Sequence, residues 1–368
     1  MRIILLFLIG IHGFIHLFGF LQAFGLAKFN EISQSVSKTS GIIWLLAFLF
    51  FTLAFILRLF NSNYFWISGF LAFTVSQSLI FNYWSDAKFG TIPNLIILTV
   101  AIISYATFSF QTKVKKERVN MFKNSTMATS KTITQKDMAH LPPAVQKWLL
   151  SVGVLDKKPV SRLHLVQDLQ LKMTPEQKNW NSGVAEQYFT TQPPAFNWTI
   201  NTQMNPVLNV VGRDKLENGQ GEMTIKLLSL IAVANAKQSE KVDQATLQRY
   251  LAEIVWFPSA ALSPYITWEQ IDDNTAKATM HVDKTTGSGI FYFDQNGYFL
   301  KFTALRYKDA KDEKPTLWTA SALKTEERNG IKIPVELQAD WELDSGQWTW
   351  LKIKIKDISY DIAKMPAH

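Results

Sequence analysis

Four long, uncharged and mostly apolar segments fill the first 111 residues, and short charged loops separate them. A helix needs roughly 20 mainly apolar residues to cross the hydrocarbon core of a bilayer. Each segment is close to this length or longer, so each one predicts a transmembrane helix. The four predicted helices cover residues 3–26, 41–59, 64–84 and 91–111.

From residue 160 onward, apolar and polar positions alternate, which is the pattern of half-buried β-strands. Turn-forming pairs such as Asn218-Gly219 bound short segments, of which residues 275–282 and 331–343 are the clearest. The pattern predicts roughly nine to twelve strands. One amphipathic helix interrupts them at residues 243–256, and a shorter helix is expected to end before Gly153. We expect an α+β soluble domain, with a mostly antiparallel curved sheet and one or two helices, preceded by a four-helix transmembrane bundle.

These patterns divide the chain into three parts: a four-helix transmembrane region at 1–111, a basic and polar linker at 112–136 and a soluble antiparallel-sheet domain at 137–368. The linker is rich in Ser, Thr, Asn and Lys and poor in apolar residues. The first apolar segment is longer than the core of most signal peptides and has no clear cleavage site, so we expect it to remain attached. Its removal is the alternative, and would leave three spans with the soluble domain on the opposite side.

Lys and Arg are distributed unequally over the two sides of the predicted bundle. Seven lie on the side of the termini and three on the other, and the positive-inside rule places the excess in the cytoplasm. We therefore expect a multi-pass protein of the cytoplasmic (inner) membrane whose soluble domain faces the cytoplasm. The seven are Arg2, Arg58, Lys113, Lys115, Lys116, Arg118 and Lys123, and the three are Lys28, Lys38 and Lys88.

Composition excludes several kinds of partner and site. The net charge is +8, but the sequence has no Lys/Arg stripe with interleaved aromatic residues, so we expect no nucleic-acid partner. The absence of cysteine excludes disulfides, thiolate metal sites and cysteine nucleophiles. No motif of a known catalytic apparatus is present, and we assign no catalytic residue.

Two histidines lie inside the first predicted span. His12 and His16 are four residues apart, so both rings project from one face of the helix. Ionisable groups inside a span are functional candidates, and these two are our candidates within the membrane. Three interpretations stand side by side: hydrogen bonding to neighbouring helices, a metal or haem site, and a proton or quinone-type role. The other four histidines lie outside the spans, so we predict no metal site and no cofactor.

Nine of the twelve tryptophans lie in the predicted soluble domain. Such rings commonly pack in the core or on sheet faces, and alternatively a curved sheet presents several of them to an apolar cavity that suits a lipid-like ligand. Arg249 and Glu253 are four residues apart on the predicted helix and can pair either on a solvated face or at the mouth of that cavity. The candidate ligand-binding residues are Arg249, Tyr250, Glu253, Trp256, Trp198 and Trp268.

Two motifs of the soluble part carry a family resemblance: Leu141-Pro-Pro-Ala-Val and Arg249-Tyr-Leu-Ala-Glu-Ile-Val-Trp-Phe-Pro258. With them the chain resembles an uncharacterised bacterial family defined as a domain of unknown function. The first helix, His12-Gly-Phe-Ile-His16-Leu-Phe-Gly-Phe20, is similar to the start of its membrane-anchored members. At fold level the pattern is similar to lipoprotein-carrier (LolA-like) domains, which implies a curved antiparallel sheet closed by helices around an apolar pocket. The family resemblance implies no established activity.

We expect an integral membrane protein of a bacterium whose soluble domain binds a hydrophobic, lipid-like ligand or a membrane partner, with membrane lipids among its contacts. Two alternatives stay open. An enzyme acting on a membrane-derived substrate requires Arg249, Glu253 and another polar residue to converge in a cleft. A membrane metal or redox protein requires His12 and His16 to hold the active group. The oligomeric state is left open.

Overall fold

The computed structural model describes residues 2–127, 131–203 and 208–363. They form two compact units. The first unit contains Met1–Lys113 and Leu228–Leu230, and the second contains Val114–Leu227 and Ile231–His368.

In the described part of the chain, four helical segments are long and apolar enough to cross a membrane. This confirms the predicted number of apolar helices, and the first three lie within a few residues of their predicted bounds. The fourth begins with a short helix and a 3₁₀ turn, Lys88–Gly90, and continues as a long helix. The helices are α1 (Arg2–Ala23), α2 (Lys38–Leu59), α3 (Phe65–Asn82), the short α4 (Trp84–Ala87) and the long α5 (Thr91–Asn124).

Close packing of α1 on α2 depends on small residues of α1. A Cβ atom at Gly19 would lie 2.2 Å from the indole ring of Trp44, so only glycine leaves room for this ring. Small residues let membrane helices approach closely, since burial from water does not drive their association within lipid. The buried alanines Ala47 and Ala54 of α2 follow the same rule.

Helix α5 continues beyond the predicted transmembrane segment and replaces the first half of the predicted linker. Its last turns belong to the second unit, where Arg118, Met121 and Phe122 are buried. Their spacing is that of one helix face, but the basic residues on either side of them, Lys113, Lys115, Lys116 and Lys123, hide this pattern in the sequence. Residues 128–130 of the predicted linker lie outside the described residues.

The second unit is built on one curled antiparallel sheet, which confirms the predicted fold class. The described residues contribute thirteen strands in the order β6-β5-β4-β3-β2-β1-β13-β12-β11-β10-β9-β8-β7. The first and last strands are therefore neighbours in the middle of the sheet. The strands are β1 (Arg162–Leu171), β2 (Asn181–Thr191), β3 (Pro194–Gln203), β4 (Asn209–Glu217), β5 (Gln220–Leu227), β6 (Ile231–Ala236), β7 (Ile266–Asp272), β8 (Thr275–Val282), β9 (Thr285–Phe293), β10 (Phe299–Arg306), β11 (Thr316–Arg328), β12 (Ile331–Leu343) and β13 (Gly346–Tyr360).

Besides the end of α5, the described part of the second unit contains the helices α6 (Gln135–Met138), α7 (Pro143–Ser151) and α8 (Glu240–Glu253). Helix α7 begins with Pro143 in its first turn, where a missing N–H costs nothing. Side chains of α7, α8 and the 3₁₀ turns after α8 form one hydrophobic core with the sheet. Trp148 of α7 stacks at 5.9 Å on Phe291 of β9, and both are fully buried. Burial of each such ring contributes roughly 1.5–3 kcal/mol, so these helices hold the curled sheet from its inner face.

Candidate functional site

A row of side chains crosses the inner face of the sheet and meets α8. Gln187 on β2 pairs with Trp198 on β3, which pairs with Asp214 on β4. Residues that are directly opposite in an antiparallel sheet point to the same face. We call these three residues the polar row. Helix α8 directs Arg249 and Glu253 at it.

Arg249 joins the two carboxylates of the site. Its Nη1 donates to Asp214 Oδ2 at 2.8 Å, and its Nε donates to Glu253 Oε1 at 2.9 Å. The other oxygen of Glu253 accepts a hydrogen bond of 2.8 Å from Gln187 Nε2. The guanidinium also lies 5.0 Å from the ring centre of Trp198. The predicted ion pair is therefore formed in the interior of the sheet and not on a solvated helix face.

Burial shapes the electrostatics of this cluster. It raises the pKa of Glu253 and the pKa of Asp214, although Arg249 opposes the shift at both carboxyl groups. Burial, together with the charge of Arg249, lowers the pKa of Arg306 to about 10. The site thus holds two carboxyl groups and two guanidinium groups in an environment that solvates charge poorly.

Arg306, at the end of β10, links the polar row to a wall of tryptophans. Its Nε donates to the carbonyl oxygen of Ala245 at 2.9 Å, and its guanidinium lies 4.7 Å from the ring centre of Trp318. Among the described residues, neither Nη1 nor Nη2 of Arg306 forms a hydrogen bond. One edge of this cation is therefore available to another group.

The tryptophan wall consists of Trp318, Trp341 and Trp348, which are paired in sequence across β11, β12 and β13. Buried indole N–H groups usually find a hydrogen-bond partner. Within the described part of the chain, those of Trp318 and Trp348 have none, and neither has that of the neighbouring Trp350. Trp318 and Trp341 are only 5% and 6% exposed, so the wall consists of largely buried rings with several unused donors.

The predicted ligand-binding residues separate into two groups. Arg249, Glu253 and Trp198 lie together at the polar row. Tyr250 and Trp256 are about 1% exposed and anchor the core, because their polar atoms donate to backbone carbonyl groups.

Trp268 lies on β7 and packs against Trp148 of helix α7. Its ring centre is 6.4 Å from that of Trp148, and its Nε1 donates to the carbonyl oxygen of Ala261. Its contacts are those of a core residue.

Sequence reasoning did not assign Asp214, Arg306 or Gln187 to the site. A signal for them does exist, because each lies at a strand position whose alternation requires an inward-facing side chain. Using that signal requires knowledge of which strands are neighbours.

His12 and His16 belong to a buried network between α1, α3 and α5. His12 Nε2 bonds to Asn94 Oδ1 at 2.8 Å, and Asn94 Nδ2 donates to Ser76 Oγ at 2.9 Å and to Gln77 Oε1 at 3.0 Å. His16 bonds to Ser76 Oγ through Nε2 and to the carbonyl oxygen of His12 through Nδ1, both at 2.8 Å. The two histidines are 6% and 2% exposed. Interhelical hydrogen bonding, one of the three interpretations of the pair, is what the structure contains.

A cavity of about 230 Å³ lies beside this network. Its lining includes His12, His16, Trp44, Ile80, Tyr83 and Gly90. The indole N–H of Trp44 is buried and has no hydrogen-bond partner among the described residues. Across those residues there is also no group of three or more His, Cys, Asp or Glu side chains placed to hold a metal ion.

Comparison with known proteins gives a family and a similarity at the level of the fold. The profile of a family of unknown function, DUF6920, matches residues 139–360, which confirms the predicted resemblance to such a family. Among solved structures, the chain is similar to a LolA superfamily protein from Nitrosomonas europaea, at 10% identity and a TM-score of 0.34. That similarity covers 60% of this chain and 94% of the other. No curated protein matches the chain.

Proposed function

This chain belongs to the DUF6920 family, whose function is unknown, and we propose that its curled sheet binds a lipid-like molecule on the inner face. The observation that carries the proposal is the free guanidinium edge of Arg306 above the tryptophan wall. Small-molecule sites are mostly apolar surfaces with a few convergent polar groups. The inner face has this composition.

In the proposed complex, the apolar part of the ligand lies on the rings of the tryptophan wall. A carboxylate or phosphate at its end accepts hydrogen bonds from Arg306, whose planar guanidinium suits such groups. Arg249 acts on the ligand only indirectly, because its guanidinium is already paired with Asp214 and Glu253. It keeps the two acids from repelling the ligand's anionic end.

We place the protein in the cytoplasmic membrane of a bacterium, with the sheet facing the cytoplasm. Four helices that are long and apolar enough to cross a bilayer support the membrane location. The excess of Lys and Arg on the side of the termini supports the orientation towards the cytoplasm. Membrane lipids are then the nearest source of the ligand.

An enzyme acting on a membrane-derived substrate is the second candidate. Asp214 joins Arg249 and Glu253, and it supports this candidate by supplying a third polar residue at the cluster. The raised pKa values of the two carboxyl groups bring them closer to neutral pH, where acid–base catalysis is most effective. Conversion of a bound lipid into a product of different mass would favour this candidate over binding alone.

Photo-crosslinking of the full-length protein in detergent micelles tests the binding site. The probe is a fatty acid with a diazirine in the middle of its chain, and labelled peptides are identified by mass spectrometry. We expect label on peptides that contain Trp318, Trp341 or Trp348, and its loss when unlabelled fatty acid competes. Label that is confined to α1–α5, or that resists competition, would contradict the proposal.

The variant Arg306→Gln tests the role of the cation. Loss of a hydrogen bond to a charged group costs about 2 kcal/mol, so we expect roughly 30-fold weaker competition by fatty acid. Arg328→Gln is the matched control, because Arg328 lies at the exposed end of β11 and pairs with Glu326. If fatty acid competes equally well at the two variants, Arg306 does not bind the ligand.

A further inference from the structure

His12 and Trp44 each present an unpaired polar atom in the cavity beside the histidines. One is Trp44 Nε1, which is buried and has no partner among the described residues. The other is His12 Nδ1, since the His12 ring bonds only through Nε2 to the residues that the structure describes. Both side chains are 6% exposed and line the cavity.

The hydrogen-bond network determines which of these atoms donates. Asn94 uses Nδ2 to donate to both Ser76 and Gln77, so its Oδ1 faces His12 and accepts. His12 Nε2 must then carry the proton, and Nδ1 of the neutral ring is an acceptor. Trp44 Nε1 is only a donor. Within the cavity, His12 therefore presents a free acceptor and Trp44 a free donor.

His16 completes the assignment and offers nothing to a ligand. Its Nδ1 donates to the carbonyl oxygen of His12, so its Nε2 accepts from Ser76 Oγ. Both ring nitrogens are thus engaged. Of the two histidines, only His12 therefore offers a ring nitrogen to a ligand.

The walls of the cavity favour a ring compound over a cluster of water molecules. Phe18, Ile80, Tyr83 and Phe89 contribute apolar and aromatic surface. A buried water needs two to four polar partners, and apolar cavities stay dry. A volume of about 230 Å³ admits a small ring with short substituents and is below the range of typical drug-sized pockets.

The cavity reaches the loops at one end of the helices, where Glu31 and Phe89 are exposed. Asp86 fixes one of these loops, because its carboxylate accepts hydrogen bonds from the backbone N–H groups of Ser33 and Gln34. Amphipathic rings concentrate at the membrane–water boundary, as Trp and Tyr side chains do. This opening suits ligands that arrive from there.

We propose that this cavity binds a membrane-soluble hydroxylated ring compound, a phenol or hydroquinone, that donates to His12 Nδ1 and accepts from Trp44 Nε1. The proposal is independent of the site on the curled sheet, since each site lies within its own unit.

Equilibrium dialysis of the full-length protein in detergent micelles tests the ligand chemistry. The probe is radiolabelled 4-propylphenol, and 4-propylanisole and propylbenzene are its matched controls. The anisole accepts but cannot donate, and the hydrocarbon does neither. We expect saturable binding of the phenol, and about tenfold weaker binding of the anisole because His12 Nδ1 is left unpaired. Equal affinities for phenol and anisole, or no saturable phenol binding, would overturn the proposal and indicate water only.

Substitution of a glycine in the cavity lining tests whether the phenol binds in this cavity. A Cβ atom at Gly90 would lie 2.9 Å from Ile80 Cδ1 and 3.3 Å from His12 Cε1, so Gly90→Ala narrows the cavity and keeps both polar atoms. At Gly10, outside the cavity, a Cβ atom makes an ordinary 3.6 Å contact with Phe55, and Gly10→Ala is the control. We expect Gly90→Ala to weaken phenol binding at least about tenfold and Gly10→Ala to leave it unchanged. Equal binding by both would contradict the location.

Trp44→Phe provides a second test that does not depend on cavity size. It keeps an aromatic ring on Gly19 but removes the donor. We expect weaker binding of both the phenol and the anisole, with propylbenzene unchanged. Loss of all three probes would indicate a misfolded bundle, which the helical circular dichroism of the variant checks, and retained phenol binding would exclude Trp44 from the site.

Discussion

Arg249 shows how the sheet interior tolerates several charges. Its guanidinium bonds to Asp214 and Glu253, and its flat face lies 5.0 Å from the ring centres of Phe196 and Trp198. Arg suits such a position, because its planar fork serves two carboxylates at once and its charge is weakly hydrated. Removal of the cation would leave two acids buried beside each other.

Arg249→Met therefore tests the cost of unpaired buried acids. Breaking a buried ion pair on one side typically costs about 3–5 kcal/mol of unfolding free energy. We expect a loss of this order in urea unfolding followed by tryptophan fluorescence, since nine of the twelve tryptophans report on the second unit. Lys277→Met is the control, because Lys277 pairs with Glu269 on the surface and should cost less than about 1 kcal/mol. Similar losses for the two variants would show that Arg249 is no more important than a surface cation.

At the scale of elements, Arg118 is one of the residues that attach the end of α5 to the outer face of the sheet. Arg118 donates to Glu186, to Asn197 Oδ1 at 2.9 Å and to Thr199 Oγ1 at 2.7 Å. Glu186 alternates along β2 with Gln187 of the polar row, so these two residues point to opposite faces. Helix α5 and helix α8 thus pack on the two faces of the same strands.

This attachment should depend on pH. Burial opposes the charge of Glu186, but His164 and Arg118 outweigh it and hold the pKa of this carboxyl well below its ordinary value. A lowered folded-state pKa stabilises the fold above the ordinary pKa of about 4.3, and the effect is lost as the pH falls further. We expect Glu186→Gln to lose about 2 kcal/mol of unfolding free energy at pH 7 and progressively less below pH 4. A loss that is the same at pH 7 and pH 3 would contradict this assignment.

The elements that the sequence predicts well are those with local signals at both ends. Strands β8 and β12 match the predicted residues 275–282 and 331–343, since alternation is clean and Asn329-Gly330 forms the turn before β12. Strand β6 lies outside the predicted segments, and with it the described residues contribute thirteen strands. The turn before it places Leu228 and Ser229 at positive φ, a backbone conformation that Leu and Ser seldom adopt.

Candidate sites are predictable only in part, for a different physical reason. Arg249 and Glu253 are local on one helix, and their spacing indicates the pair directly. Asp214 and Arg306 reach the same cluster through strands that are far apart in sequence. The partners of His12 likewise come from α3 and α5. Periodicity reports which way a side chain points, but it carries no information about what lies opposite.

At the scale of the whole molecule, the order of the strands has a consequence for synthesis on the ribosome. Strand β1 pairs with β13, and Leu163 lies opposite Tyr360. The two free edges, β6 and β7, belong to the middle of the chain. Before β13 leaves the ribosome, the sheet can exist only as two separate arcs, β1–β6 and β7–β12, whose unpaired inner edges are open to aggregation.

Deletion of the last strand is therefore expected to split the sheet in two, where deletion of an edge strand would merely shorten it. A variant that ends at Leu343 should lose cooperative unfolding and become sensitive to protease within both arcs. Limited proteolysis with peptide mapping checks this against the full-length protein. A chaperone that holds the nascent chain until β13 emerges is the kind of assistance that suits this topology, and pairing of β13 with β1 and β12 is the step that joins the two arcs.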